Sequence, residues 1–336
     1  MATKYVDAAS AGGGDGTTWD LSGANAAYTE AECETFLEGA VAAGDDIWVM
    51  DGTYTLDSAI DWNLRDGTAI APIYIIGVKS GTTATPPTYA DWAVADADRP
   101  VFACGVNDFR TSDFVHILNC QFTTSDTYGI YLGTSCLLQN CKITQGSGSA
   151  YEAIRAGIGS RIVNCEITSN AGEGIYGAFD TRVLFCYIHD CSTYGYNTVY
   201  DSSVLLFNVF DTCTTAGINI GAKQYSTYVN NTIYNCGSGI LGSTGYSALG
   251  INNIINDNTT GLNWTTETDD NVWMYNNLEG NGTARTNVDH TNVYIKDNWA
   301  TAVDPEFDNA AGGDFSLEDN QGSCIDAGMS ITVGVG

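Results

Sequence analysis

The residues of this chain whose types and spacing suit chemistry lie between 152 and 189. Glu152 and Glu173 each stand just before a short strand-like stretch, Ala153-Ile154-Arg155 and Gly174-Ile175-Tyr176. If the backbone returns to the same place every twenty-odd residues, the two carboxylates stack about 5 Å apart. Carboxylates that close either share a proton or bind a cation. Arg155 lies beside Glu152, Arg161 and Arg182 each stand four residues before a cysteine, and Asp180 and His189 are near in sequence. Converging on one groove, such residues would serve proton abstraction from, or hydrolysis of, a sugar chain. Spread over separate faces, they are charge-paired surface decoration. Tyr131 and Tyr176 fall in the same column as Arg155, with Tyr128, Tyr151 and Tyr194 nearby. Phenol rings on a flat sheet suit sugar rings, and Tyr is equally an ordinary strand residue.

Those columns exist only if the chain repeats, and it does. Leu118-Asn119-Cys120-Gln121-Phe122, Leu138-Gln139-Asn140-Cys141-Lys142-Ile143, Ile162-Val163-Asn164-Cys165-Glu166-Ile167 and Val183-Leu184-Phe185-Cys186-Tyr187-Ile188 are one pattern, continued at Asn208, Asn231, Asn253 and Asn276. Intervals of 21 to 24 residues separate these anchors, too short for a pair of helices and right for one coil of a solenoid. Two positions after each anchor the residue is apolar in all eight cases, so period-two alternation turns both inward. A second strand, from Gly129-Ile130-Tyr131 to Gly261-Leu262-Asn263, keeps the same period. A coil of this size cannot bury its apolar face alone, and stacking must supply the core. The predicted fold is all-β, a right-handed single-stranded parallel β-helix of roughly 22-residue coils over residues 47–282. Cys120, Cys141, Cys165 and Cys186 then form one ladder, and Cys191, Cys213 and Cys236 a second, preceded by Asn170 and continued by Asn258 and Asn281. With no Cys-x-x-Cys pair and no His at ligand spacing, these read as buried reduced thiols, and no metal site is expected.

Open strand edges invite aggregation, so both ends should be capped. Residues 1–46 provide one cap: Thr29-Glu30-Ala31-Glu32 is a capping box, and Cys33, Phe36, Leu37, Ala40 and Val41 make an apolar stripe on a helix expected over 29–43. Gly81 to Trp92, which contains Pro86 and Pro87, must leave the solenoid. After 282 the period fades, and 283–336 is expected to form an irregular C-terminal cap, with Ile331 to Val335 a possible edge strand. Twelve Lys plus Arg against forty Asp plus Glu give a net charge of −28, which excludes nucleic acid and anionic membrane as partners. No run of about 18 apolar residues exists to enter a bilayer, and the N-terminus lacks the apolar core of a signal peptide. Glu267-Thr268-Asp269-Asp270 would hold calcium only loosely, without EF-hand spacing; calcium is the one ion this acidity suits, and no cofactor is expected.

Three stretches resemble the pectate-lyase-like superfamily of right-handed parallel β-helix proteins. They are the entry Tyr5-Val6-Asp7 with Gly13-Gly14-Asp15-Gly16-Thr17 and Gly44-Asp45-Asp46-Ile47-Trp48-Val49, the Asn-Cys-x-Ile coils, and the close Asp304-Pro305-Glu306-Phe307, Asp314-Phe315-Ser316-Leu317 and Ser323-Cys324-Ile325-Asp326-Ala327-Gly328. The resemblance covers nearly the whole chain and implies the fold; it is almost silent on activity. His116, His189 and His290 do not match the Gly-His-Gly segment of polygalacturonase-like members, and only residues 150–190 imitate the acidic and basic face of the lyases. The expected function is therefore a non-enzymatic structural or attachment protein of a virion or extracellular surface, such as a phage decoration, fibre or tail-associated β-helix, with glycan binding through Tyr131, Tyr176 and Tyr194. Its partners would be other virion or surface proteins, further copies of itself, or a polysaccharide. The alternative is a polysaccharide lyase or glycoside hydrolase acting through Glu152, Glu173, Arg155, Arg161 and Arg182.

Overall fold

Alternation of apolar and polar residues over strands of three or four residues sets the architecture. In the computed structural model Ile143 pairs in parallel with Phe122 on one side and Ile167 on the other, while Leu138 pairs with Ile117 and Ile162. The residues described are 2–56, 60–61, 66–125, 129–146, 148, 151–198, 200–221, 225–243, 247–265, 271–287, 293–296, 305 and 307–317. The chain is a right-handed parallel β-helix, and its contacts divide it into two units, Met1–Tyr176 and Gly177–Gly336.

Each unit is built of three parallel sheets. In the first unit, sheet 1 runs from Thr3–Val6 to Arg161–Val163, sheet 2 from Thr53–Thr55 to Glu166–Ser169, and sheet 3 from Ile60–Asp61 through Phe109–Arg110, Ile130–Tyr131 and Ile154–Ala156. In the second unit the same succession runs from Arg182–Leu184, Tyr187–His189 and Tyr194–Thr198 onward. Inward residues are fully buried: Ile117, Ile143, Ile154 and Ile167 in the first unit, and Ile188, Leu205, Ile218 and Ile233 in the second, all at 0 % exposure. Each such side chain contributes roughly 1.5–3 kcal/mol, and the core is a stack of identical columns.

One residue in the left-handed region turns the chain from sheet 1 to sheet 2 in every regular coil. Asn119, Asn140 and Asn164 do this in the first unit, and Phe185, Phe207, Asn230, Asn252 and Tyr275 in the second, with φ of 51° to 58°. Asn tolerates this conformation because its amide bonds locally, which explains why it precedes the anchors. The anchor that follows points inward. Cys120, Cys141 and Cys165 stack in the first unit, and the ten described cysteines are all buried and free. In the second unit Cys186 is followed by amides: the Asn208 Nδ2 donates to Asn231 Oδ1 at 3.0 Å, Asn231 to Asn253 at 3.0 Å, and Asn253 to Asn276 at 2.8 Å. Asn170, which spacing puts ahead of Cys191, is exposed; the adjacent Ser169 is buried instead and its hydroxyl donates to Gln145.

The helix spans Glu30–Gly39, four residues short of the expected C-terminal end, because Asp45 accepts from the Ala42 N–H at 2.9 Å and draws the chain into a turn. Its capping box is formed, with Thr29 N–H donating to Glu32 at 2.9 Å and Glu32 N–H to Thr29 at 3.3 Å. Cys33 and Leu37 lie with Val6, Val49, Tyr54 and Phe102 around a small apolar cavity at the first coil. The 81–92 excursion folds back over the outer face of sheet 1, where Trp92 and Trp19 pack against a cluster of Tyr5, Trp48, Met50, Ile76, Val78 and Leu118. Ala84 accepts from the Trp19 indole N–H at 3.0 Å. Near the C-terminus the strands Phe307–Asn309 and Asp314–Leu317 form an antiparallel hairpin whose Phe315 ring lies 5.5 Å from Tyr234 and 6.3 Å from Tyr187, on the side of sheet 2. The Ser323–Gly328 motif and the 331–336 tail lie outside the described residues.

Candidate functional site

Sheet 3 of the first unit carries the site, because its two- and three-residue strands alternate one inward with one outward side chain. Ile130 pairs with Phe109 and Ile154 and faces the core; the next residue, Tyr131, pairs with Arg110 and Arg155 and faces out. The outward column therefore reads Arg110, Tyr131, Arg155, Tyr176, a guanidinium and a phenol in turn. Tyr131 receives the Arg110 guanidinium 5.8 Å and the Arg155 guanidinium 5.6 Å from its ring centre, and Arg155 lies 5.3 Å from the Tyr176 ring. Cation–π attraction at this range holds the side chains upright in a row rather than letting them collapse onto the sheet.

Carboxylates fix the guanidiniums from behind. Asp108 is buried and takes a two-pronged contact from Arg110, at 2.7 Å and 3.1 Å. Glu152, 7 % exposed, lies 3.5 Å from Arg155. Burial pushes the Glu152 carboxyl above its ordinary value, Asp108 adds to the push, and Arg155 opposes it. Glu173 follows one coil later, its backbone carbonyl accepting from the Ala153 N–H at 2.8 Å, so the backbones of the two glutamates lie on adjacent coils.

Of the residues singled out from sequence, the structure thus brings together Glu152, Glu173, Arg155, Tyr131 and Tyr176. Arg161 is elsewhere: it lies on sheet 1, exposed, paired with Leu137 in a strand neighbouring His116, whose ring burial and the Arg161 charge push its pKa down. A residue four positions before an anchor belongs to a different sheet, which is why Arg161 and Glu152 diverge. Arg182 is on sheet 1 of the second unit and pairs with Asp180 at 3.2 Å. His189 pairs with Asp190 at 2.8 Å. Tyr194, in the second unit, pairs with Ala216; the ladder position of that coil is Asn197, paired with Asn219, so Tyr194 is three residues out of the column. Asp108 and Arg110 escaped the sequence reading, although Arg110 stands 21 residues before Tyr131 and that interval was the available signal. Tyr128 and the stretch 267–270 lie outside the described residues, and among the described residues no cluster of three His, Cys, Asp or Glu residues fit for a metal occurs.

A family model, the right handed β helix region, matches residues 104–204 and 149–279, together a little over half of the chain. No curated protein matches the sequence. Among solved structures, pectate lyase Pel9A superposes with a TM-score of 0.60 at 14% identity over 99% of this chain and 92% of its own. A rhamnogalacturonan lyase gives 0.52 at 11% identity over 92% and 91%. A lacto-N-biosidase from Eubacterium ramulus gives 0.54 at 10% identity over 89% and 68%. At these identities the likeness is one of fold.

Proposed function

Because the chain belongs to the right-handed β-helix family, whose scaffold alone selects no chemistry, we propose from its surface that it is a non-enzymatic attachment protein of a virion or extracellular surface that binds polysaccharide. The binding face is the outward column Arg110, Tyr131, Arg155 and Tyr176. The single observation that carries this reading is Arg155 held between two phenol rings, 5.6 Å and 5.3 Å from their centres. Such a row offers phenol edges and hydroxyls together with fixed guanidinium N–H donors to the oxygens of a sugar chain, spaced by the coil repeat of about 4.8 Å. Solved structures of similar fold are described as lyases and a glycosidase of carbohydrates, which accords with a saccharide ligand. The test is a glycan array followed by titration of the best ligand. Arg155→Ala and Tyr176→Ala should each weaken binding about tenfold, the scale of one or two lost contacts; unchanged affinity in both would remove the proposal.

One observation favours a second reading, a depolymerase: Glu152 is a buried carboxyl with a raised pKa beside an arginine, the setting of a general acid or base. Incubating the protein with acidic polysaccharides while following unsaturated-product absorbance and reducing ends distinguishes the two. Turnover that disappears in Glu152→Gln or Glu173→Ala would replace the attachment reading.

A further inference from the structure

The outer face of sheet 1 differs between the units in a way that the glycan reading does not use. In the second unit two outward columns run along it: Arg182, Val204, Thr227, Leu249 and Val272, and beside them Leu184, Leu206, Val229, Ile251 and Met274. Eight of the ten are apolar and one is charged, in a chain with forty acidic residues. Leu184, Val204, Leu206, Leu249, Val272 and Met274 are half-buried, while Val229 and Ile251 between them are buried. At one border Phe185 and Phe207 stand 57 % and 42 % exposed, their rings stacked at 5.1 Å and 7°. At the other, Phe179 and Tyr200 pair at 5.0 Å, and Tyr225 is 65 % exposed. Phe185, Phe207 and Tyr225 all hold left-handed backbone, a conformation that bulky side chains adopt only against steric resistance.

We propose that this face is where two copies of the chain associate, sheet against sheet, through a twofold axis. Three features select a second copy as the occupant. The face is one side of a parallel sheet, and an apolar sheet face is matched by another packed about 10 Å away. It is nearly free of charge, so it is the surface on which two chains of net charge −28 approach with least repulsion. Its rim holds an ion pair, Arg182 with Asp180, 3.2 Å apart and both about half exposed, which a twofold can exchange between copies. Five strands about 4.8 Å apart and some 20 Å of width give roughly 500 Å² per copy, about 1,000 Å² in all, which reaches the lower bound for a specific but weak interface.

Sedimentation velocity on the full chain, from about 1 to 200 µM, reads the association directly. The wild type should pass from monomer to dimer in this range, and more readily at high salt, where like-charge repulsion is screened. Phe185→Asn combined with Phe207→Asn should weaken the dimer about tenfold or more. That variant installs the residue already present at Asn119, Asn140, Asn164, Asn230 and Asn252 in the same turn, so its unfolding midpoint should not fall. A wild type that stays monomeric throughout, a dimer that dissolves as salt rises, or a double variant that associates like the wild type would each overturn the proposal.

Discussion

The same inward turn position is filled by thiols in the first unit and, after Cys186, by amides in the second, and the two solve one problem with different physics. Cys141 is buried at 0 % exposure and makes only weak S–H contacts, 3.2 Å to the Gln139 carbonyl and 3.8 Å to that of Ile117. Packing does the rest. Asn231 instead completes its polar inventory: its amide donates to Leu205 O and Asn253 Oδ1, each at 3.0 Å, and its own oxygen accepts from the Asn208 backbone and side chain, each at 3.0 Å. A thiol ladder tolerates the loss of a rung, whereas each amide rung satisfies groups on both neighbours. The outer column of sheet 3 changes between the units as well, from Arg and Tyr to Asn219, Leu241 and Asn263.

The largest expected effect follows from the amide ladder. Asn231→Leu takes a partner from the Asn208 backbone N–H, the Asn208 side-chain amide and the Leu205 carbonyl in a dry interior, at about 1–3 kcal/mol each, while the Asn253 oxygen keeps the backbone N–H of residue 231, so a loss of roughly 3 kcal/mol or more is expected in urea unfolding. Cys141→Ser places a stronger hydrogen-bonding group among the same carbonyls and should cost about 1–2 kcal/mol. Equal losses for the two variants would erase the distinction between the ladders. On the outer column, Arg155→Ala should leave the unfolding midpoint within about 0.5 kcal/mol of wild type while reducing glycan affinity, because it removes a partly exposed side chain whose ion pair with Glu152 is 3.5 Å long. A large stability loss there would make the column a structural brace rather than a binding row.

Much of this organisation was legible because a solenoid writes its geometry as a period. The anchors, the inward apolar residue two positions later, the capping box and the placing of Glu152 and Glu173 on adjacent coils all follow from intervals and alternation. The left-handed turn before each anchor was not read from the sequence: Asn before Cys was an available signal for it, but Phe185 and Phe207 carry none, since nothing in an aromatic residue favours that conformation. Arg110 was missed because its strand, Phe109–Arg110, is two residues long and precedes the regular coils. Arg161 was grouped with the site by its interval from the anchor and Tyr194 by nearness in sequence, whereas a shift of a few residues in a three-sided coil moves a side chain along the strand or to another sheet. The hairpin on sheet 2 rests on Phe307 and Phe315 meeting Tyr234, contacts between distant segments that no local pattern encodes.

The smallest effect concerns charge, and it should be confined to the first unit. Two residues before the inward residue of sheet 3 stand Glu152 and Glu173 in the first unit, but Ala216, Ser238 and Thr260 in the second. Since burial raises the Glu152 carboxyl, the folded chain prefers its protonated form. Its contribution to stability is complete below the ordinary glutamate value of about 4.3 and is lost as pH rises through the higher folded value. Glu152→Gln is neutral at every pH and forgoes that loss. The difference in unfolding free energy, variant minus wild type, should therefore rise from its value at about pH 4 to a higher plateau at neutrality. Removing the Arg155 ion pair subtracts little, because Arg155 is 38 % exposed and the contact is 3.5 Å long. A difference that instead falls with pH would mean that the ion pair outweighs desolvation, and Glu152 would then be held as a carboxylate for Arg155 rather than kept as an acid.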